Sequence, residues 1–450
     1  MIGQISLAIF CFCGIMNAAR SEPSPSPSAS PTPVPVALDP LLRQAELWSP
    51  AQPAGDSSNS MPIDFVNQHR DAGFRWISNA RDTAESTRPG LTLFQLPVYE
   101  AIARFGQNQL KEITVLFYNR GDTGDLSIKD FNALTSQCTE AISNFTGVQF
   151  TDRGRDPSNA VRAEGRIWRT AISQFLLEYS FTRQLTGANR PEFIRLAVTP
   201  FEKPKSLLEA SLAASHPAAK FSGEAHVKTD PGGDVLITDI PMVDQGQKGY
   251  CVVASAERVM RYYGGRVDEH ELAEIAGTSA EKGTSVPAML DSLKKLSGRL
   301  HIKIRTVENF DENRIMAIIN NYNREARRDQ RAVEFDPAVD TFQDVFSRMD
   351  SDILRKTRTK NPSEMDLFFR HVQTHVNQGT PLLWSVMIGV LPQPKDPRGY
   401  GGHMRLIIGY NAKTKEIMYS DSWGLGHELK RMPLADAWTM TFGLHTIEPL

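Results

Sequence analysis

The stretch Gln245-Gly246-Gln247-Lys248-Gly249-Tyr250-Cys251-Val252-Val253-Ala254-Ser255 constrains this chain more than any other. Behind its cysteine, Val252, Ala256, Val259, Met260 and Tyr263 recur at helical spacing, and Gly264-Gly265 stops the pattern. A helix is therefore expected to begin at Cys251. Gly246 and Gly249 permit a tight, backbone-exposed loop in front of it. A thiol at a helix N-terminus lies at the positive end of the helix dipole, which favours thiolate, the nucleophilic form. A free cysteine in that place is either a small buried hydrophobe or a nucleophile. Partners elsewhere in the chain decide between the two.

The chain has 450 residues, room for two domains. A formal net charge of -2 and a pI of about 6.6 give no electrostatic reason to expect nucleic acid or an anionic membrane as partner. Ile5 to Met16 is an apolar run of signal-peptide length, followed by the small residues Asn17-Ala18-Ala19. Residues 1–19 read as a secretory signal, with an uncleaved N-terminal anchor as the alternative. The run is short for a membrane span. The protein is accordingly expected to be secreted or to reside in the periplasm or cell envelope. Residues 20–40 read as a Ser/Pro-rich linker, in which residues 22–36 alternate Ser and Pro as an extended spacer without core-forming residues. Cys11 and Cys13 fall in the signal, which leaves Cys138 and Cys251, too few for a disulfide framework. A bridge between these two would silence Cys251, so a cysteine enzyme requires both to stay reduced.

Residues 41–226 read as a mixed α/β or α+β domain. Leu91–Phe94, Ile113–Tyr118 and Phe193–Val198 have strand character, as does the β-branched and aromatic run Ile167–Phe181. Ser127 to Phe145 is helical through Phe131, Leu134, Cys138 and Ile142. Cys138 lies on the apolar side of that helix, where it packs. No catalytic constellation is evident in this part. An alanine-rich helix is expected near Leu207–Ala214, and Thr229-Asp230-Pro231-Gly232-Gly233 breaks the chain before Val235-Leu236-Ile237.

Residues 227–450 are clearer. Helices are expected over Cys251–Tyr263, Asp268–Ala276, a Ser285-capped segment through Leu296, Glu312–Arg328, Phe342–Thr357 and Asp366–Val376. Strands are expected over Leu300–Val307, Leu382–Ile388, His403–Tyr410 and Glu416–Tyr419. Helices first and strands later indicate an α+β fold.

A cysteine nucleophile needs a base and a group to orient it. His403 stands in Gly401-Gly402-His403-Met404-Arg405-Leu406, at the head of an apolar strand. Asp421, in Ser420-Asp421-Ser422-Trp423-Gly424, follows the next strand, so a hairpin return brings it toward His403. A carboxylate there would hold the ring's tautomer and orientation. Taken singly, His403 reads equally well as a strand-end histidine and Asp421 as a turn residue.

Together these segments resemble the papain-like cysteine peptidases. That pattern has Gln-Gly-x-x-Gly-x-Cys, then His ahead of an apolar strand ending Gly-Tyr, then Asn-Ser-Trp-Gly. Gln245 lies six residues before Cys251, and His403 lies 152 after it (403 minus 251). Val252 stands where an aromatic is usual, the neighbouring disulfide cysteine is absent, and Asp421 replaces Asn. Those departures resemble the divergent bacterial branch grouped as peptidase C39-like, over residues 237–430. The resemblance implies a papain-like C-terminal domain, a helical half plus an antiparallel-sheet half. It implies Cys251 as nucleophile, His403 as acid/base, Asp421 as orienting residue, and Gln245 with the Cys251 N–H as oxyanion hole. The activity implied is hydrolysis of protein or peptide substrates, without cofactor. The alternatives are an inactive papain-like binding module, or an amidase or transpeptidase acting on peptidoglycan or protein. Residues 41–226 would then be a pro-region or a binding module. His371 and His375 sit one helical turn apart, but Val372 stands where a zinc-peptidase motif needs Glu, and a solvated helix face is expected. His427 and His445 are competing bases without the strand-head context.

Overall fold

The computed structural model describes residues 34–44, 46–49, 63–107, 109–153, 161–183, 187–201, 221–246, 249–265, 267–278, 284–392 and 400–450. The expected signal, most of the Ser/Pro-rich spacer and the helix expected near Leu207–Ala214 lie outside these residues. The chain divides into two compact units, one within residues 18–220 and one that includes Phe221–Leu450.

The first unit is built on an antiparallel sheet. In chain order its strands are β1 (Arg75–Trp76), β2 (Thr83–Ser86), β3 (Glu100–Gly106), β4 (Gln109–Asn119), β5 (Thr151–Arg153), β6 (Ala163–Arg169), β7 (Ser173–Arg183) and β8 (Asn189–Pro200). Their order across the sheet is β1-β2-β3-β4-β8-β7-β6-β5. Helix α1 (Ile128–Thr146) begins where the Ser127 side chain accepts the Asp130 N–H and ends at left-handed Gly147. It buries Phe131, Thr135, Cys138 and Ile142, spaced three and four apart, in the apolar core of this unit. Of the two sequence readings for this part, the long antiparallel sheet with its helix is α+β in character. The run Ile167–Phe181 is a hairpin, with Phe175 opposite Trp168. Burial pushes the Cys138 thiol up to about 12, which makes it a packing residue and a poor nucleophile.

The second unit has β9 (Val227–Thr229), β10 (Asp234–Ile237), α2 (Cys251–Tyr262), α3 (Glu269–Ala276), α4 (Val286–Leu300), β11 (Ile302–Asn309), α5 (Glu312–Ala326), α6 (Phe342–Ser347), α7 (Ser351–Thr359), α8 (Pro362–Asn377), β12 (Leu382–Ile388), β13 (Gly401–Asn411), β14 (Glu416–Ser420), β15 (Lys430–Pro433), α9 (Leu434–Met440) and β16 (Thr441–Pro449). The sheet order is β9-β10-β13-β12-β16-β11, with β14 on β13 and β15 on β14, all antiparallel. Alternate residues feed two cores, as the period of two requires. Leu383, Met404 and Leu406 pack with Cys251, Val252, Val259, Met289 and Leu293 of α2 and α4. Leu382, Trp384, Val386 and Ile407 pack with residues of α5 through α9. The strands of the centre are therefore buried on both faces, which is why Leu382–Ile388 is an unbroken apolar run apart from Ser385.

Three expectations change. The linker expected over residues 20–40 ends earlier, because Val36–Ala37 pairs with Leu91–Thr92 as a strand and Leu38 is buried in the core of the first unit. Phe342–Thr357 is not one helix but two, because the Asp350 side chain accepts the Asp352 and Ile353 N–H groups and caps a fresh start. Thr441–Pro449, which no pattern singled out, is an interior strand between β12 and β11.

Trp384 is fully buried, and its indole N–H donates to Thr441 Oγ1 at 2.9 Å. Trp384→Ala is expected to cost about 3–5 kcal/mol, and Trp384→Phe, which keeps most of the packing, about 1 kcal/mol. Urea unfolding of the two variants beside the unchanged chain checks this; equal losses would contradict the packing assigned to the ring.

Candidate active site

Helix α2 runs alongside β13, and two hydrogen bonds fix its direction. The Ser255 hydroxyl donates to the Met404 carbonyl at 3.4 Å. Two turns further on, Tyr262 Oη donates to the Gly379 carbonyl at 3.0 Å. Gly379 precedes β12, and β12 pairs Leu382 with Ile407 and Ile388 with Gly401. The C-terminus of α2 therefore lies at the far end of β13. Its N-terminus, with Cys251 one turn before Ser255, lies at the end where His403 stands. Arg258 adds a third tie, donating from Nε to the Pro241 carbonyl at 2.8 Å and from Nη2 to Ser420 Oγ at 2.6 Å.

The strand register brings His403 and Asp421 together. Leu406 pairs with Ser420, so Asp421 is next in line opposite Arg405, with His403 its diagonal neighbour. His403 Nε2 lies 2.8 Å from Asp421 Oδ1. Arg405 Nε donates to the same oxygen at 3.0 Å, and Lys430 Nζ lies 3.5 Å from Oδ2. Trp423 stacks on the imidazole, with ring centres 4.6 Å apart and planes inclined by 23°. Trp423 therefore covers one face of the imidazole. The turn that carries Trp423 needs Gly424: its φ is +74°, and a Cβ there would come within 2.5 Å of Asp244 Oδ2.

Gln245 docks on the same turn. Its backbone N–H donates to the Ser422 carbonyl at 2.9 Å, and its side-chain Oε1 accepts the Ser422 hydroxyl at 2.6 Å. With the carbonyl end so engaged, the amide's NH2 end is the donor Gln245 presents. Next in the chain, Gly246 N–H donates back to Asp244 Oδ1 at 2.9 Å. Past the loop, Thr284 Oγ1 donates to the Gly249 carbonyl at 3.2 Å.

Cys251, His403, Asp421 and Gln245 are all at most 1% exposed. Burial by itself pushes Asp421 up, but the Arg405 guanidinium, the hydrogen bond to His403 and the Lys430 charge outweigh it and hold the carboxyl well below its usual range. Arg258 is buried too, and burial lowers it to about 10, still a cation at neutral pH. Cys138 and Cys251 are free thiols.

The competing histidines are placed otherwise. His445 lies within β16, opposite Leu383, and burial pushes it down to about 4, so it is neutral at pH 7. His427 acts through its backbone carbonyl, which accepts the Asp421 N–H at 3.0 Å. His375 Nδ1 meets the His371 carbonyl at 2.9 Å, and His371 Nδ1 lies 3.4 Å from Glu308. The sequence reasoning missed Arg405, Lys430, Ser422 and Arg258. Arg405 carried a signal: a charged residue inside an apolar strand, two positions from His403 and so on its face.

Residues 237–443 match the Peptidase_C39 like family, a divergent group of cysteine peptidases. That span holds the Gln245–Cys251, His403 and Asp421 segments, and the match supports the resemblance drawn from them to the C39-like branch of the papain-like peptidases. A comparison with curated proteins gives no match.

Since Asp421 is held low, its stabilising contribution is fully present above the ordinary carboxylate value of about 4 and is lost as pH falls through its depressed folded value. Asp421→Asn, which strands the Arg405 charge, is expected to cost about 3–5 kcal/mol at pH 7. That gap should narrow as the pH is taken below about 4. Denaturant midpoints across pH check it; a gap that widens in acid would overturn the assignment.

Proposed function

We propose that the C-terminal unit is a cysteine peptidase that hydrolyses protein or peptide substrates through a thioester. The observation that carries this reading is the His403–Asp421 hydrogen bond, set at the same end of the sheet as the N-terminus of the Cys251 helix. Asp421 engages Nε2, which assigns proton transfer to Nδ1. Nδ1 takes the Cys251 proton, and the thiolate attacks the peptide carbonyl carbon. The Gln245 amide and the Cys251 backbone N–H donate to the oxyanion. Collapse breaks the C–N bond as the imidazolium protonates the leaving amine. Water then attacks the thioester, gives its proton to Nδ1, and releases the acid and the thiol.

The apolar N-terminal run supports action outside the cytoplasm, in secreted or envelope-associated form. The first unit, with no catalytic cluster of its own in the sequence, serves as pro-region or substrate-binding module. A pro-region predicts cleavage between residues 215 and 235 in the unchanged protein and none in Cys251→Ala.

The central test compares the unchanged chain with Cys251→Ala and His403→Ala, using iodoacetamide labelling and a casein-type substrate. Cys251→Ala should abolish labelling at that site and turnover, and His403→Ala should lower turnover by about 10²–10⁴-fold. Equal turnover by all three would sink the reading. Peptidoglycan fragments assayed in parallel, with product masses, separate peptide hydrolysis from amidase or transpeptidase action.

A further inference from the structure

Asp421 faces more positive charge than an orienting residue needs. Its Oδ1 accepts both His403 Nε2 and Arg405 Nε, at 2.8 and 3.0 Å, and all three side chains are fully buried. The Arg405 guanidinium also lies over the Tyr419 ring, 4.6 Å from its centre, which fixes it in place. A bare carboxylate buried this close to an imidazole would strongly favour the imidazolium, because no solvent screens the attraction.

We propose that Arg405 is a positioning residue that cancels the buried charge of Asp421, so that His403 meets a carboxylate–guanidinium pair of no net charge in place of an anion. The inference rests on the peptidase reading for its catalytic meaning, though not for its electrostatics. Arg405 leaves the hydrogen bond that orients the ring intact while removing the attraction that would lock the ring in its protonated form. Among the described residues, Lys430 from β15 and Arg258 from α2 also bring positive charge to the carboxylate. Arg258 is itself opposed by Glu428. Trp423 faces the imidazole with a neutral ring, and His427 lies beyond it, 5.5 Å from Trp423.

The test follows the His403 imidazole by NMR titration in full-length Cys251→Ala protein, so that no activity is required. Arg405→Gln should raise the midpoint by about one pH unit or more. Asp421→Asn should lower it, and the Arg405→Gln/Asp421→Asn pair should return to within about half a unit of the parent. Arg405→Lys, which keeps the charge, should stay near the parent. Lys430→Met, at a partly exposed position, should shift it upward by less than Arg405→Gln does. Should Arg405→Gln alone not fold, the same charge effect is read as Asp421→Asn against the double variant, in which no buried charge is stranded. An unchanged midpoint in Arg405→Gln, or a double variant that sits with Asp421→Asn, would overturn the inference. The pH dependence of Cys251 alkylation in the cysteine-bearing chain judges the peptidase reading separately. If His403→Ala leaves that dependence unchanged, the peptidase reading falls while the ring titration still decides the role of Arg405.

Discussion

One carboxylate oxygen, Oδ1 of Asp421, takes hydrogen bonds from two different donors of β13, His403 and Arg405. A buried anion is tolerated only when it is paired and hydrogen-bonded, so this oxygen dictates the arrangement around it. β13 must lie in register with β14 for Arg405 to stand opposite. β15 must follow β14 for Lys430 to approach the second oxygen. Helix α2 must press close enough for Arg258 to reach Ser420, the residue before the carboxylate. The proposed chemistry and the cohesion of the sheet thus draw on the same few contacts.

The geometry also explains why a helix and a strand so distant in sequence arrive together. Ser255 and Tyr262, two turns apart on α2, contact Met404 and Gly379, which lie toward opposite ends of the β12–β13 pair. Sliding α2 by one turn would break both bonds and misplace the cysteine relative to the strand head. The loop before α2 is tied at Gln245 to the Trp423 turn, so the N-terminus of α2 is held from the strand side as well.

Much of the site was legible in the sequence, because Gln245, Cys251, His403 and Asp421 each sit beside a local signal: a glycine-rich loop, a helix start, a strand head, a turn. The cations around Asp421 were not, because Arg405 and Lys430 become its partners only through register, which no local pattern encodes. Arg258 was hidden for another reason. It faces inward from a helix whose apolar stripe was already sufficient to explain its burial. The interior strand Thr441–Pro449 mixes Thr, His and Glu with Phe, Leu and Ile, so its buried status depends on neighbours on both sides. Phe342–Thr357 looked continuous since apolar periodicity carries across the cap at Asp350. In the first unit β4, β8, the β6–β7 run and the α1 helix were readable, but β1, β2, β3, β5 and the order of the eight strands across the sheet were not, since that order depends on long-range pairing alone.

A cysteine with no exposed surface is also slow to react with peroxide, because oxidation toward sulfenic and higher acids follows access as much as thiolate character. Cys251 therefore combines a helix-terminal setting that promotes thiolate formation with a burial that slows its encounter with small oxidants.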